Sequence, residues 1–263
     1  MFPRLVVYSL VLLASLSRLD HGPSAGIASQ PALEGEEYVY EVSWTWFKLG
    51  TIRLKTLPGC RAVAHIESYP GLPFVDLHSI HSTQMDSSCY SKGSYSLEKK
   101  DGVWWALRYI NEPGGKSVAV EETFQTSPDS IPYKHSIIDT IVIPTSDFVD
   151  GLSIAYFPRR FIHSEKTVTV PTILYGKLGQ TSFHFMGDHT TESIDALDDP
   201  VRVVSVEGNT TVEGIYGMTG EFKGWFSDDS AAVPIKGKLK VLIGNVTVEL
   251  IQWHRSGWNP PTQ

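Results

Sequence analysis

The sequence is short of charge, of cysteine and of long apolar runs, and each shortage removes a class of protein. Charged residues make up 19% of the 263, and 29 acidic residues outnumber 22 basic ones to leave a net charge of -7. Nucleic acid is excluded as a partner, because such binders carry a basic excess that neutralises phosphates. Two cysteines are too few for a disulfide-dense scaffold, and a chain of this length buries roughly 70% or more of its unfolded surface without a metal or a staple. The devices of common catalysis are missing too. No Gly-x-Ser-x-Gly elbow sits between a strand and a helix, and there is no phosphate loop, dinucleotide fingerprint or His-Glu-x-x-His pair. No catalytic residue, metal site or cofactor is therefore expected.

The one concentrated apolar run stands at the start. Arg4 is followed by Leu5-Val6-Val7-Tyr8-Ser9-Leu10-Val11-Leu12-Leu13-Ala14, a charged segment and then an apolar one of about 12 residues, which as a helix spans about 18 Å against a hydrocarbon core of about 30 Å. That is too short to anchor the chain and reads as a secretory signal peptide over residues 1–28, with Gly26 and Ala28 as the small residues before the cut. Cleavage there removes Arg4, Arg18 and Asp20 and takes the net charge from -7 to -8. No later stretch is long enough to span a bilayer, so the exported chain has no integral membrane span and is expected to be periplasmic or envelope-associated. In an exported chain, Cys60 and Cys89 are expected to pair as a disulfide. Closing that 29-residue loop stabilises by about 3 to 4 kcal/mol in the chain-entropy picture.

Residues 29–37 form a mature N-terminal segment, residues 38–255 a single β-rich domain, and residues 256–263, with Pro260-Pro261, a disordered tail. Within the domain, Tyr38, Tyr40, Val42, Trp44 and Trp46 alternate onto one face of a strand. Lys48-Leu49-Gly50 reads as the turn into Thr51–Lys55, which completes a hairpin. Further strands are expected at 61–68, 78–85, 94–99, 103–109 and 117–124, separated by turn signals such as Lys100-Asp101-Gly102. At 146–157 the pattern becomes helical. Ser146 is a cap, Phe148, Leu152, Ala155 and Tyr156 recur on one side, and Pro158 stops the element. Strands resume at 166–170, 180–186, 201–207, 220–226, 232–241 and 244–253. The expected fold is mainly β: a single curved antiparallel sheet, a barrel or half-barrel-like meander, with one docked α-helix.

Several segments in order, Gly35–Trp44 followed by Leu49-Gly50, Asp150–Tyr156, Gly224–Asp229 followed by Val233-Pro234, and Gly244–Leu250, resemble the exported bacterial family known as domain of unknown function 3108. The resemblance covers essentially the whole mature chain. It implies export, a mostly β domain and an envelope role, with no assigned reaction.

The candidate site residues are few. Asp228 and Asp229 are adjacent carboxylates, which a hydrolase could use only if the chain turns there, since neighbours on a strand face opposite ways. A Ser-Asp-Asp-Ser run between strands is the commoner hairpin turn, its side chains bonded to their own backbone. His78 and His81 are three apart on a strand and cannot converge on a metal, and His163, His184 and His189 are scattered. Arg159 and Arg160 end the helix, where they suit its dipole or hold a carboxylate or phosphate. The sequons at Asn209 and Asn245 carry no meaning outside a eukaryotic secretory route. Aromatics remain: Trp104, Trp105, Phe74 and Trp225, together with Trp44 and Trp46, either fill a large β core or bind a ligand in the concavity of the sheet, an acyl chain or an envelope glycan. The leading expectation is a non-catalytic exported binder of an apolar, amphipathic or glycan ligand. Its rivals are an interaction protein that pairs through a sheet edge or with an envelope protein, favoured by an edge free of Lys and Pro, and a carboxylate-dependent hydrolase.

Overall fold

In a computed structural model of the chain the described residues are 33–72, 76–112, 115–143, 146–212, 220–241 and 244–263. Fifteen strands form one sheet. The first eight are β1 (Glu37–Trp44), β2 (Phe47–Leu57), β3 (Arg61–Ser68), β4 (His78–Met85), β5 (Ser91–Lys100), β6 (Val103–Asn111), β7 (Ser117–Gln125) and β8 (Lys134–Val142). The return half comprises β9 (Val149–Asp150), β10 (Glu165–Leu174), β11 (Lys177–Glu192), β12 (Val201–Thr210), β13 (Gly220–Ser227), β14 (Pro234–Lys240) and β15 (Asn245–His254). Successive strands pair as neighbours on both sides, and the first and last strands, β1 and β15, pair in the middle. Among the described residues only the short β9 runs parallel to its neighbour. This is the meander expected from the alternating pattern.

The sheet curls until its β9 end reaches β4 and β5. Ser91 donates its N–H to the Phe148 carbonyl, and Thr83 donates its hydroxyl to the buried Asp150 carboxylate. Beyond that contact β6, β7 and β8 continue as a ribbon. The ribbon packs its own small core, Leu107, Tyr109, Val118, Val120 and Ile141, against Phe148 and Ile173 of the return half.

The sequence between 146 and 160 departs from the expected three-turn α-helix. A helical element docks there, but as two 3-10 turns, Ser153–Ala155 and Phe157–Arg160, after the two residues of β9. Asp150, not Ser146, starts it: its carboxylate accepts the N–H groups of Leu152 and Ser153, while its own N–H bonds the Ser153 hydroxyl. Pro158 then lies within the second turn, where a missing N–H and a fixed φ prevent a continuous α-helical ladder. This segment fills the concavity. Phe157 packs on Tyr90, Phe161 and Phe183, and the Tyr156 hydroxyl bonds Thr56.

Three other expectations change. The first hairpin turns at Thr45-Trp46, with Trp44 opposite Phe47 and Thr45 at φ 55, rather than at 48–50. Gly50 serves close approach instead, since a Cβ there would lie 2.1 Å from the Glu67 carbonyl oxygen. The tail at 256–263 is held, not disordered: Arg202 donates its N–H to the Pro261 carbonyl, Thr262 bridges to Val201, and the Trp258 indole donates to Asp229. Cys60 and Cys89 are free thiols rather than a disulfide. Burial in the main core pushes the Cys89 thiol up to about 11, which keeps it protonated and unreactive in thiol exchange.

Candidate functional site

Alternation places two rows of polar side chains on the outer face of the return half. The register sets His184 beside Glu207, Glu207 beside Lys223, and Lys223 beside Lys238; next to this row stand Asn209 with Glu221 and Lys240 with Asn245. The opposite face of the same strands carries Phe183, Phe185, Val206 and Phe226 into the core. Between the polar rows is a groove of about 520 Å³ lined by these residues and floored by Trp225, a size within the ordinary range of small-ligand sites.

The groove is polar where a ligand would meet it. Trp225 is only 6% exposed, and the ammonium groups of Lys223 and Lys238 each stand 5.5 Å from its ring. Lys223 pairs with Glu207 and Lys240 with Glu221, both at 3.0 Å. Three lysines thus face two carboxylates on a chain whose overall charge is negative, a local reversal that attracts anions. Sequence reasoning found Trp225 and missed the rest. The signal was there in Lys236, Lys238 and Lys240, spaced by two on one strand and therefore on one face.

The other candidates do not join this groove. Arg159 is buried and structural: its guanidinium bonds both Glu36 oxygens at 2.7 and 2.8 Å and also the Ala231 carbonyl. Arg255 contacts the same carboxylate from the other side, and partial burial lowers the affinity of Arg255 for its proton. Arg160 donates to the Ser88 carbonyl and lies over the Phe161 ring. Asp229 builds the turn between β13 and β14, its carboxylate accepting Ser227 Oγ and the N–H groups of Ala231 and Ala232. The turn separates it in role from Asp228, whose carboxylate instead meets His189 at 2.9 Å and His163 at 3.9 Å. Those two histidines are thus gathered, not scattered, yet among the described residues no group of His, Cys, Asp and Glu is placed to hold a metal.

Trp104 and Trp105 lie on the ribbon, away from the concavity. The Trp105 indole donates to Glu122 at 2.6 Å and carries Lys100 over its ring at 4.0 Å. Phe74 lies outside the described residues. Trp44, Trp46 and Phe47 form an exposed aromatic tip on the first hairpin, beside Asn245, whose carbonyl accepts the Thr45 N–H. No described helix is long and apolar enough to cross a membrane.

Comparison with known proteins assigns no family. No family model matches the chain, and no curated protein matches it. A β-barrel-like protein of domain of unknown function 1849 from Brucella abortus aligns over 84% of this chain and 98% of its own at 11% identity and a TM-score of 0.47. A protein of the family named domain of unknown function 1089, from Pseudomonas aeruginosa, aligns over 86% of this chain and 95% of its own at 8% identity and a TM-score of 0.40. The resemblance to the family of unknown function 3108 rests on its sequence motifs alone.

Proposed function

We propose that the protein is an exported, non-catalytic envelope protein that binds an acidic glycan in the outer groove over Trp225. Export rests on the signal-like segment at 1–28. The observation that carries the binding reading is the groove itself, in which Lys223 and Lys238 stand over the Trp225 ring and Lys240 adds a third ammonium to the lining. An acyl chain is disfavoured as the ligand. The concavity that would hold one is occupied by Phe157, Tyr156 and Phe183, each at most 1% exposed, and the open groove is rimmed by charge. A glycan bearing carboxylates matches it better, because the three lysines exceed Glu207 and Glu221 by one positive charge at an open rim. A hydrolase has less support, since Asp229 is engaged in its turn and Asp228 does not lie in the groove.

The test is a titration with oligomers of a hexuronic acid, with neutral oligomers of equal length and with phospholipid vesicles, followed by calorimetry and by tryptophan emission. The acidic oligomer is expected to bind, with affinity falling as salt rises. Lys238→Glu, on an exposed position, is expected to weaken binding about tenfold or more, the scale of a lost charge contact replaced by a repulsion. Equal binding of neutral and acidic oligomers, or none of either, overturns the reading.

A further inference from the structure

The sheet has two ends, and they are finished differently. β9 is two residues long and both are buried, at 0% and 1% exposure, beneath the contacts to β4 and β5. At the other end β8 is nine residues long and, among the described residues, pairs only with β7. Its outer flank therefore presents main-chain N–H and C=O groups with no strand to receive them. Among Lys134, His135, Ser136, Asp139 and Thr140 it exposes apolar side chains: Ile137 is 64% exposed, Ile138 49% and Val142 73%, with Ile131 at 89% and Tyr133 at 62% just before the strand. Natural edges are usually blunted by lysine, proline or a bulge. The edge carries Lys134 at its start and Asp139 within it, neither Lys nor Pro from His135 to Val142, and a register shift opposite Val120 and Glu121, which leaves Ile138 unmatched on β7.

We infer that β8 is a docking edge for a second copy of this chain, the two copies joining β8 to β8 in antiparallel fashion about a two-fold axis. Topology selects this occupant. Among the described residues β8 is the one long free edge, so edge pairing between copies joins like to like, closes on itself and stops at a dimer. Charge selects the register. An axis through the pair of Ser136 residues, with Ile138 bulged out of the count, sets Lys134 of one protomer opposite Asp139 of the other, Ile131 opposite Val142, and His135 opposite Ile137. The two charges then attract across strands, and the exposed isoleucines and valine cover one another. The dimer does not depend on the groove over Trp225, which lies on the outer face of β11 to β15.

Sedimentation velocity on the purified protein from about 1 to about 200 µM tests the inference, since the dimer fraction of a mass-action equilibrium rises with protomer concentration. A reversible monomer–dimer transition is expected, with the β8 amides gaining protection from hydrogen exchange as the dimer forms. The exposed double substitution Ile137→Lys with Val142→Lys is expected to give a monomer across this range with an unchanged circular dichroism spectrum. Asp139→Lys alone, which sets like charges opposite each other, is expected to weaken the dimer, and Lys134→Asp added to it to restore the dimer. A wild-type chain that stays monomeric throughout overturns the inference. So does a dimer indifferent to the Ile137 and Val142 substitutions, whose interface must then lie elsewhere.

Discussion

The curled body, made of β1 to β5 and β9 to β15, and the ribbon of β6 to β8 obey the same alternating code and reach opposite outcomes. In the body the inward face meets a filling: Tyr156 and Phe157 of the 3-10 segment and Ile162 just after it take up the space enclosed by Leu54, Phe183, Phe185 and Val233. The ribbon has one covered face and one bare flank. Its core of Leu107, Tyr109, Val118, Val120 and Ile141 is small, and β8 beyond it leaves Ile137, Ile138 and Val142 in solvent. Alternation decides which residues share a face. What lies opposite that face decides whether the face becomes core, groove or edge.

Breaking the body should cost most at its buried charge. Arg159 and Glu36 are 5% and 0% exposed and bonded through both guanidinium nitrogens and both carboxylate oxygens. Arg159→Met leaves Glu36 with Arg255 alone and the Ala231 carbonyl without its donor, a loss of about 3–5 kcal/mol. Urea unfolding followed by circular dichroism measures it. Arg160→Ala, which removes one half-buried bond to the Ser88 carbonyl, is expected to cost about 1 kcal/mol. Similar losses from both substitutions would mean that the Arg159 cluster does not hold the 3-10 segment against β13 and β14.

Much of the body was legible in the sequence, since the strands at 61–68 and 78–85 stand where alternation places them. The ribbon's last strand was not. Between Phe124 and Pro144 the run Ser136-Ile137-Ile138-Asp139 breaks period two, and the structure shows the cause as a bulge at Ile138. The helix at 146–157 was overread for a related reason. Phe148, Leu152 and Tyr156 do all face inward, but from the connections beside a two-residue strand and two tight turns, whose spacing mimics one helix. The groove was half legible. Trp225 stood out by type, whereas Lys223 and Lys238 acquire their meaning only from the pairing of β13 with β14, a non-local fact. Arg159 was seen, but its partner Glu36, 123 positions away, was not available to any local pattern.

The ribbon should yield by a smaller amount and on its own. Ile141 is 7% exposed in the ribbon core, and Ile141→Ala removes buried methylenes at a cost of about 2–4 kcal/mol. The effect is expected to be local: hydrogen exchange mapped by mass spectrometry should show faster exchange in β8 and β7 while β11 to β13 keep their protection, because the two cores share few residues. Loss of protection throughout the sheet would erase the distinction between body and ribbon.

The seam between the two regions should yield less than the body's buried charge or the ribbon's core. His81 on β4 lines a cavity of about 20 Å³ there with Tyr95, Tyr109, Asp150 and Leu174, and its ring nitrogen bonds the Ser79 hydroxyl at 3.1 Å. Loss of water pushes its proton affinity down to about 4 from an ordinary 6.5. The folded protein therefore holds a neutral ring where the unfolded chain takes up a proton. As pH falls through about 6.5 the unfolded state gains that proton first, so stability is lost progressively until the folded ring also titrates near about 4. At pH 5 the loss relative to pH 8 is about 2 kcal/mol. His81→Gln keeps a polar partner for Ser79 and cannot charge, so its urea midpoint should vary less with pH over this interval, and the β4, β5 and β6 amides should no longer exchange faster at pH 5 than at pH 8 once intrinsic rates are corrected. An identical pH dependence in His81→Gln would place the acid-sensitive group elsewhere and leave the seam as firm as the body it joins.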